Sequence, residues 1–147
     1  MDEHPLARIW PSLNPRLRQA FAAAHAEFGR LSTAKATTAL RSVDGVAARV
    51  LDGMAERTAV PGRFRVSESV GDALPSPLET SPCVGHAARA LESRPGPYDD
   101  GDFLLALIRE STGATATRWK TDGFDADRVA ELLEEARASD RDAASSE

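Results

Sequence analysis

Apolar residues along this chain recur mainly at helical spacing. The first clear stripe is Leu17, Ala20, Phe21, Ala24 and Phe28, which fall on one face of a helix. Asn14 is a good N-cap ahead of it, and Pro15 suits the first helical position, where a missing N–H costs nothing. Gly29 ends the run, so the pattern predicts a helix over 14–28. A weaker helix is expected over 33–41 with Ser32 as its cap. Its apolar content is only Ala34, Ala36, Ala39 and Leu40, and Thr37 and Thr38 are mediocre helix formers. Asp44-Gly45 breaks it, and Val46, Ala47, Val50, Leu51 and Met54 form a third stripe.

Residues 57–80 change character. Pro61, Gly62, Gly71, Pro75 and Pro77 punctuate a Ser/Thr-containing stretch that reads as a connector. Within it, Phe64-Arg65-Val66 alternates as a short extended piece would. Residues 67–74 fit a helical turn or two equally well, with Val70 and Leu74 facing inward.

The helical pattern then restarts. Ser81-Pro82 repeats the cap-plus-proline start, and Val84, Ala87, Ala88 and Leu91 follow it. Pro95-Gly96-Pro97 stops that helix. Asp99, Asp100 and Asp102 lie at the next helix start, where the helix dipole favours negative charge. Phe103, Leu104, Leu105, Leu107 and Ile108 are apolar almost all round, which marks this helix as the most buried element. A short helix over 113–121 carries Trp119. Gly123 breaks it, Phe124 can act as a staple, and Asp125 caps a last helix striped by Val129, Leu132, Leu133 and Ala136. The Ser, Asp and Ala residues of 138–147 read as a flexible tail.

The two halves share one order: capped helix, break, helix, Gly, helix. Gly45 pairs with Gly113 at an offset of 68 (113 minus 45), and Leu40-Arg41 meets Ile108-Arg109 at the same offset. Leu51 meets Trp119 likewise. The first helices align one residue off, with Leu17, Ala20 and Ala24 facing Val84, Ala87 and Leu91. The expected fold is therefore all-α, a pseudo-two-fold duplicated helical bundle of two repeats with about four helices each. Its divisions are an N-terminal extension over 1–12, repeat one over 13–56, the connector over 57–80, repeat two over 81–137, and the tail over 138–147.

Composition narrows the function classes. The chain has 147 residues, 41% hydrophobic and only 5% aromatic, so Ala, Leu and Val must fill most of the core, which suits close-packed helices. A formal charge of -5 argues against a nucleic-acid partner, because phosphate binding needs a basic field. No apolar run approaches the roughly 18 residues of a membrane span, and the acidic start Met1-Asp2-Glu3-His4 is unlike a signal peptide. Cys83 is the single cysteine and reads as a cytosolic thiol, so the expected location is cytoplasmic.

Catalytic or metal chemistry has little to build on. His25 and His86 lie on the first helices without convergent Asp, Glu or Cys partners, and read as partly buried structural histidines. Cys83 and His86, at i and i+3, have no orienting third group, so a nucleophile pair is disfavoured. Trp119 is expected to pack. Trp10, beside Pro11, either staples onto the bundle or is exposed. Glu131, Glu134 and Glu135 read as a solvated helix face. No cofactor, metal or catalytic residue is expected. The candidate ligand-binding residues are Asp99, Asp100 and Asp102, for a cation or a basic peptide, weighed against helix-start electrostatics.

Three passages carry a resemblance to a known family. Gly45-Val46-Ala47-Ala48-Arg49-Val50-Leu51, Phe103-Leu104-Leu105-Ala106-Leu107-Ile108-Arg109-Glu110 and Gly123-Phe124-Asp125-Ala126-Asp127-Arg128-Val129 resemble the third helix, the leucine-rich second helix and the G-V-D turn that opens the last helix of the Clp repeat domain. The chain is similar, over about 13–137, to the N-terminal domain of Clp-type unfoldases. In that family a T-E-H triplet precedes each leucine-rich helix, and its glutamates help line pockets for basic or arginine-phosphate groups. This chain has Ser32, Thr33 and Ala34 in the first such stretch and Asp100, Gly101 and Asp102 in the second. It also has no GxxxxGK[ST] sequence, so the expectation is a free-standing N domain without a motor. The resemblance implies a non-catalytic module that binds proteins or peptides: a Clp unfoldase, its clients or a peptide ligand, with no nucleic acid and no membrane. It would act as adaptor, decoy or substrate-docking domain in Clp-dependent proteolysis. The alternative is a helical scaffold or regulatory partner that kept the fold and lost the ligand binding.

Overall fold

Most helices in this protein start at a residue that completes their first turn. In the computed structural model, which describes residues 4–43, 45–54, 71, 73, 74, 78–121 and 123–145, eight helices follow one another. They are α1 (Pro5–Ile9), α2 (Pro15–Phe28), α3 (Thr33–Ser42), α4 (Val46–Met54), α5 (Pro82–Glu92), α6 (Asp100–Glu110), α7 (Gly113–Thr121) and α8 (Ala126–Ser145). A 3-10 turn, Trp10–Ser12, continues α1. The fold is all-α, as the pattern predicts.

The caps explain the boundaries. Asn14 Oδ1 accepts from Arg16 N at 2.9 Å, and Gly29 ends α2 in the left-handed region with φ 76°, where a side chain would be strained. Ser32 Oγ accepts from Lys35 N to start α3. At α6 the cap is reciprocal: Asp99 accepts from Asp102 N, and Asp102 accepts from Asp99 N. One position differs in detail from the reading. Ser81 makes no side-chain cap, because its hydroxyl is hydrogen-bonded to Thr33 Oγ1 instead. Before α8, the Asp125 carbonyl accepts from Val129 N.

The predicted stripes form the core. Leu17, Ala20, Phe21 and Ala24 of α2, Val46, Ala47, Val50 and Leu51 of α4, and Val84, Ala87, Ala88 and Leu91 of α5 are all buried. α6 supplies Phe103, Leu104, Ala106, Leu107 and Ile108, and it packs against α3, α4, α5 and α8. Phe21 meets Phe103 edge-on with ring centroids 4.8 Å apart, which ties α2 to α6. α3 buries Ala36, Ala39 and Leu40 and packs against α2, α4, α5 and α6. Its buried Thr37 satisfies its hydroxyl by bonding back to Thr33 O, a local bond that adds nothing to tertiary packing.

The chain ends depart from the expectations. The segment read as an N-terminal extension is part of the core: α1 packs on α5, and Leu6, Ile9 and Trp10 are buried. That settles Trp10 as a packed residue. At the other end α8 does not stop at Arg137 but continues to Ser145, through a stretch with no Gly or Pro and with Ala138, Ala143 and Ala144 as good helix formers. Of the connector, Leu74 and Leu78 pack against the core. The extended piece expected over 64–66, Val70 and most of 67–74 lie outside the described residues, as do Asp44 and the side chains of Phe28, Ala34 and Met54.

Two isolated parallel bridges hold the halves together, Leu13 with Tyr98 and Leu31 with Thr80. Each of these four residues sits two positions before a helix start. The hydrogen bonds are interchangeable. Tyr98 N donates to Ser12 O and Tyr98 O accepts from Asn14 N, while Leu31 N donates to Glu79 O and Leu31 O accepts from Ser81 N. A shift of 67 positions (80 minus 13, and 98 minus 31) carries one set onto the other. It is the same shift that aligns the apolar stripes of α2 and α5.

Candidate functional site

The three candidate carboxylates meet where the starts of α4 and α6 approach α8. Asp99 caps α6 and is gripped by Arg137 of α8, whose Nη2 lies 2.9 Å from Asp99 Oδ1 and whose Nε lies 3.2 Å from Oδ2. Asp102 takes Arg137 Nη2 at 3.3 Å and Arg94 Nη2 at 2.8 Å. Asp100 turns the other way and is buried, 5% exposed, with Oδ2 accepting from Ala47 N at 2.9 Å. It thereby supplies the first turn of α4 with an acceptor from another helix.

This junction requires small residues. A side-chain carbon on Gly45 would lie 2.6 Å from Asp100 Oδ2, and one on Gly101 would lie 2.8 Å from Val46 Cγ2 and 2.9 Å from Arg137 Nη2. Backbone, carboxylate and guanidinium therefore interlock with no spare volume.

The electrostatics divide the carboxylates. Burial pushes the Asp99 carboxyl up, but the Arg137 hydrogen bonds and the Asp102 N–H outweigh it and hold it below its ordinary value. Asp100 is raised, first by burial and then by the nearby Asp99 charge, with the Ala47 N–H opposing only in part. Arg137 loses some proton affinity to burial and regains more from Asp99, so it is held firmly as a cation. The arrangement can anchor three helices. Each carboxylate that would meet a ligand already has a partner within the chain.

The other sequence candidates are separated in space. Cys83 sits at the start of α5 with Sγ 3.3 Å from Ser111 Oγ and 3.6 Å from Leu107 O. Ser111 in turn donates to Leu107 O and accepts from Trp119 Nε1 at 3.0 Å. Trp119 packs edge-on against buried Phe124, which places Trp119 as expected and pins α7 to the body. Among the described residues, no hydrogen bond joins Cys83 to an imidazole. His25 is half-buried as read, and its Nε2 accepts from Glu79 N. His86 is exposed, contrary to the reading, because its position on α5 falls outside the Val84, Ala87, Leu91 stripe. On the acidic α8 face, Glu131, Glu134 and Glu135 are all exposed as read, and Glu131 pairs with Arg128.

Sequence reasoning missed two residues here. Nothing in the local pattern of α8 marks Arg137 as the partner of Asp99, since the pairing is across helices. His4 was legible in principle: His4-Pro5 repeats the cap-plus-proline start of Asn14-Pro15, and its Nδ1 accepts from Leu6 N at 3.0 Å. The five-residue helix behind it is too short to show a periodic stripe.

Among the described residues, no group of three or more His, Cys, Asp or Glu is gathered as metal ligands would be. Among them too, no helix is long and apolar enough to cross a membrane. No protein-family model matches the chain, and no curated protein matches it.

Proposed function

We propose that this chain is a non-catalytic protein- or peptide-binding module related to the N-terminal domain of Clp-type unfoldases. It acts as adaptor, decoy or substrate-docking domain in Clp-dependent proteolysis, in the cytoplasm, and not on nucleic acid or membranes. The observation that carries this reading is the interchangeable pair of bridges. Leu13 with Tyr98 and Leu31 with Thr80 repeat one hydrogen-bond pattern at a single offset of 67 positions (80 minus 13, and 98 minus 31), which supports an internal duplication of a helical unit. Duplication is the feature that the three Clp-like passages require.

The test is recovery from a lysate with the intact chain as bait. A Clp-type unfoldase or an unfolded client retained above background supports the proposal, and recovery of neither contradicts it.

One observation favours a second reading, a helical scaffold or regulatory partner without the family's ligand binding. Asp100 and Asp102 stand in the stretch that matches the family's second T-E-H triplet, and they and Asp99 are engaged internally. Titration with phosphoarginine or an arginine-rich peptide separates the two: saturable binding favours the first reading, and its absence favours the scaffold.

A further inference from the structure

Two imidazoles flank the bridge between Leu31 and Thr80, and both accept backbone N–H groups. His4 Nδ1 accepts from Leu6 N at 3.0 Å, which leaves the ring proton on Nε2, 3.0 Å from Thr80 Oγ1. His25 Nε2 accepts from Glu79 N at 3.0 Å, which leaves its proton on Nδ1. An imidazolium has donors on both nitrogens and no lone pair to accept with. The bonds from Leu6 N and Glu79 N therefore exist only with a neutral ring, whereas His4 Nε2–H can donate to Thr80 Oγ1 in either state. The two rings hold adjacent residues of the same segment, Glu79 and Thr80, just where it is bridged to Leu31 and enters α5.

We propose that His4 and His25 form an acid-operated clamp: neutral, the rings cap α1 at Leu6 N and hold Glu79 N, and protonation gives up both of these bonds while the His4 bond to Thr80 stays. Opening removes the cap of α1 and the outer bond on Glu79, and so loosens α1 from the face of α5 that it covers. The third histidine, His86, is exposed on α5. The clamp is closed at neutral pH: burial and then the Arg8 charge lower the proton affinity of His4. With the folded value below the free one, docking of α1 is fully supported above the ordinary histidine value. It weakens as pH falls from there to the lowered value, below which the loss is constant.

Other charged groups sit on the elements that meet here. They are Arg8 on α1, Glu27 and Arg30 at the end of α2, Glu79 itself, and His86, Arg89 and Glu92 on α5. Arg8 and Glu92 are paired with each other, a second tie between α1 and α5 that keeps the release local. A test must therefore change only the two rings. Asn and Gln can place an acceptor oxygen near the lost ring nitrogen without titrating, as Asn14 already does for Arg16 N.

The experiment is amide hydrogen exchange on the intact chain across the histidine range, from about pH 7.5 to about pH 5, corrected for intrinsic exchange. Protection at Leu6 and Glu79 is expected to fall about tenfold, the scale of one lost hydrogen bond, while Leu107 in α6 keeps its protection. The His4→Asn/His25→Gln variant is expected to show no such fall. If that variant does not fold, His4→Asn alone should flatten Leu6 and leave Glu79 responsive. Equal protection at both pH values, the same fall in the variant, or loss at Leu107 in step with Leu6 would overturn the clamp.

Discussion

Asp100 and Ala47 share one buried hydrogen bond across 53 positions of chain, with Asp100 Oδ2 accepting from Ala47 N at 2.9 Å. The first residue of α6 thus closes the first turn of α4. Asp100→Ala leaves that N–H without its acceptor inside the protein, and is expected to cost about 1–3 kcal/mol in urea unfolding. Asp100→Asn keeps an oxygen in reach and is expected to cost less.

The same carboxylate gives a pH signature. Its folded value is raised, so its favourable contribution is present below the ordinary aspartate value and is lost as pH rises through the raised value. Asp99, held low by Arg137 after burial is overcome, works in the opposite sense: its contribution is present above the ordinary value and lost as pH falls through the lowered one. Unfolding curves across acidic pH should therefore show Asp100→Asn improving relative to the parent protein as pH rises. Arg137→Gln should narrow its deficit as pH falls. Arg137 is partly exposed, so this deficit at neutral pH is about 1 kcal/mol or less.

How much of this was legible follows from the range of each interaction. Asn14, Ser32 and Gly29 act on residues within a turn of themselves, so their roles can be read locally, and the structure places helix boundaries there. The stripes of α2, α4, α5 and α6 likewise show which face is buried. Asp99 and Asp102 were recognised as helix-start charges, but their grip on Arg137 joins helices far apart in sequence and leaves no periodic trace. α1 was missed because five residues make too little pattern, and α8 was cut short because polar residues hide a helix that composition alone permits.

The junction beneath the carboxylates should be intolerant of volume. Gly101→Ala would bring a carbon to 2.8 Å from Val46 Cγ2 and 2.9 Å from Leu133 Cδ2. The expected loss is about 1–3 kcal/mol, read as a lower denaturation midpoint with an unchanged denaturant slope. By contrast Gly85→Ala meets nothing closer than 3.8 Å and should be near neutral or stabilising.

The edge-on pair of Phe21 and Phe103 should couple α2 to α6. Phe103→Ala is expected to cost about 3–5 kcal/mol. In a double-mutant cycle with Phe21→Leu and Phe103→Leu, the coupling should be about 0.5–1.5 kcal/mol. A coupling near zero would mean that the rings contribute by burial alone.

α1 should behave as core and not as an appendage. Leu6 is fully buried, and Leu6→Ala is expected to cost about 2–4 kcal/mol in equilibrium unfolding. With Trp119 replaced by Phe, Trp10 fluorescence should report the same transition as circular dichroism, since Trp10 is buried on the same body.

The central proposal, a duplicated helical module that binds proteins, is tested most directly with purified components. The intact chain, fluorescently labelled at Cys83 only if labelling leaves its fold unchanged and otherwise at its N-terminus, is titrated with a Clp-type unfoldase and separately with a permanently unfolded polypeptide. The account predicts a saturable rise in anisotropy with at least one of them; a flat response to both would contradict it.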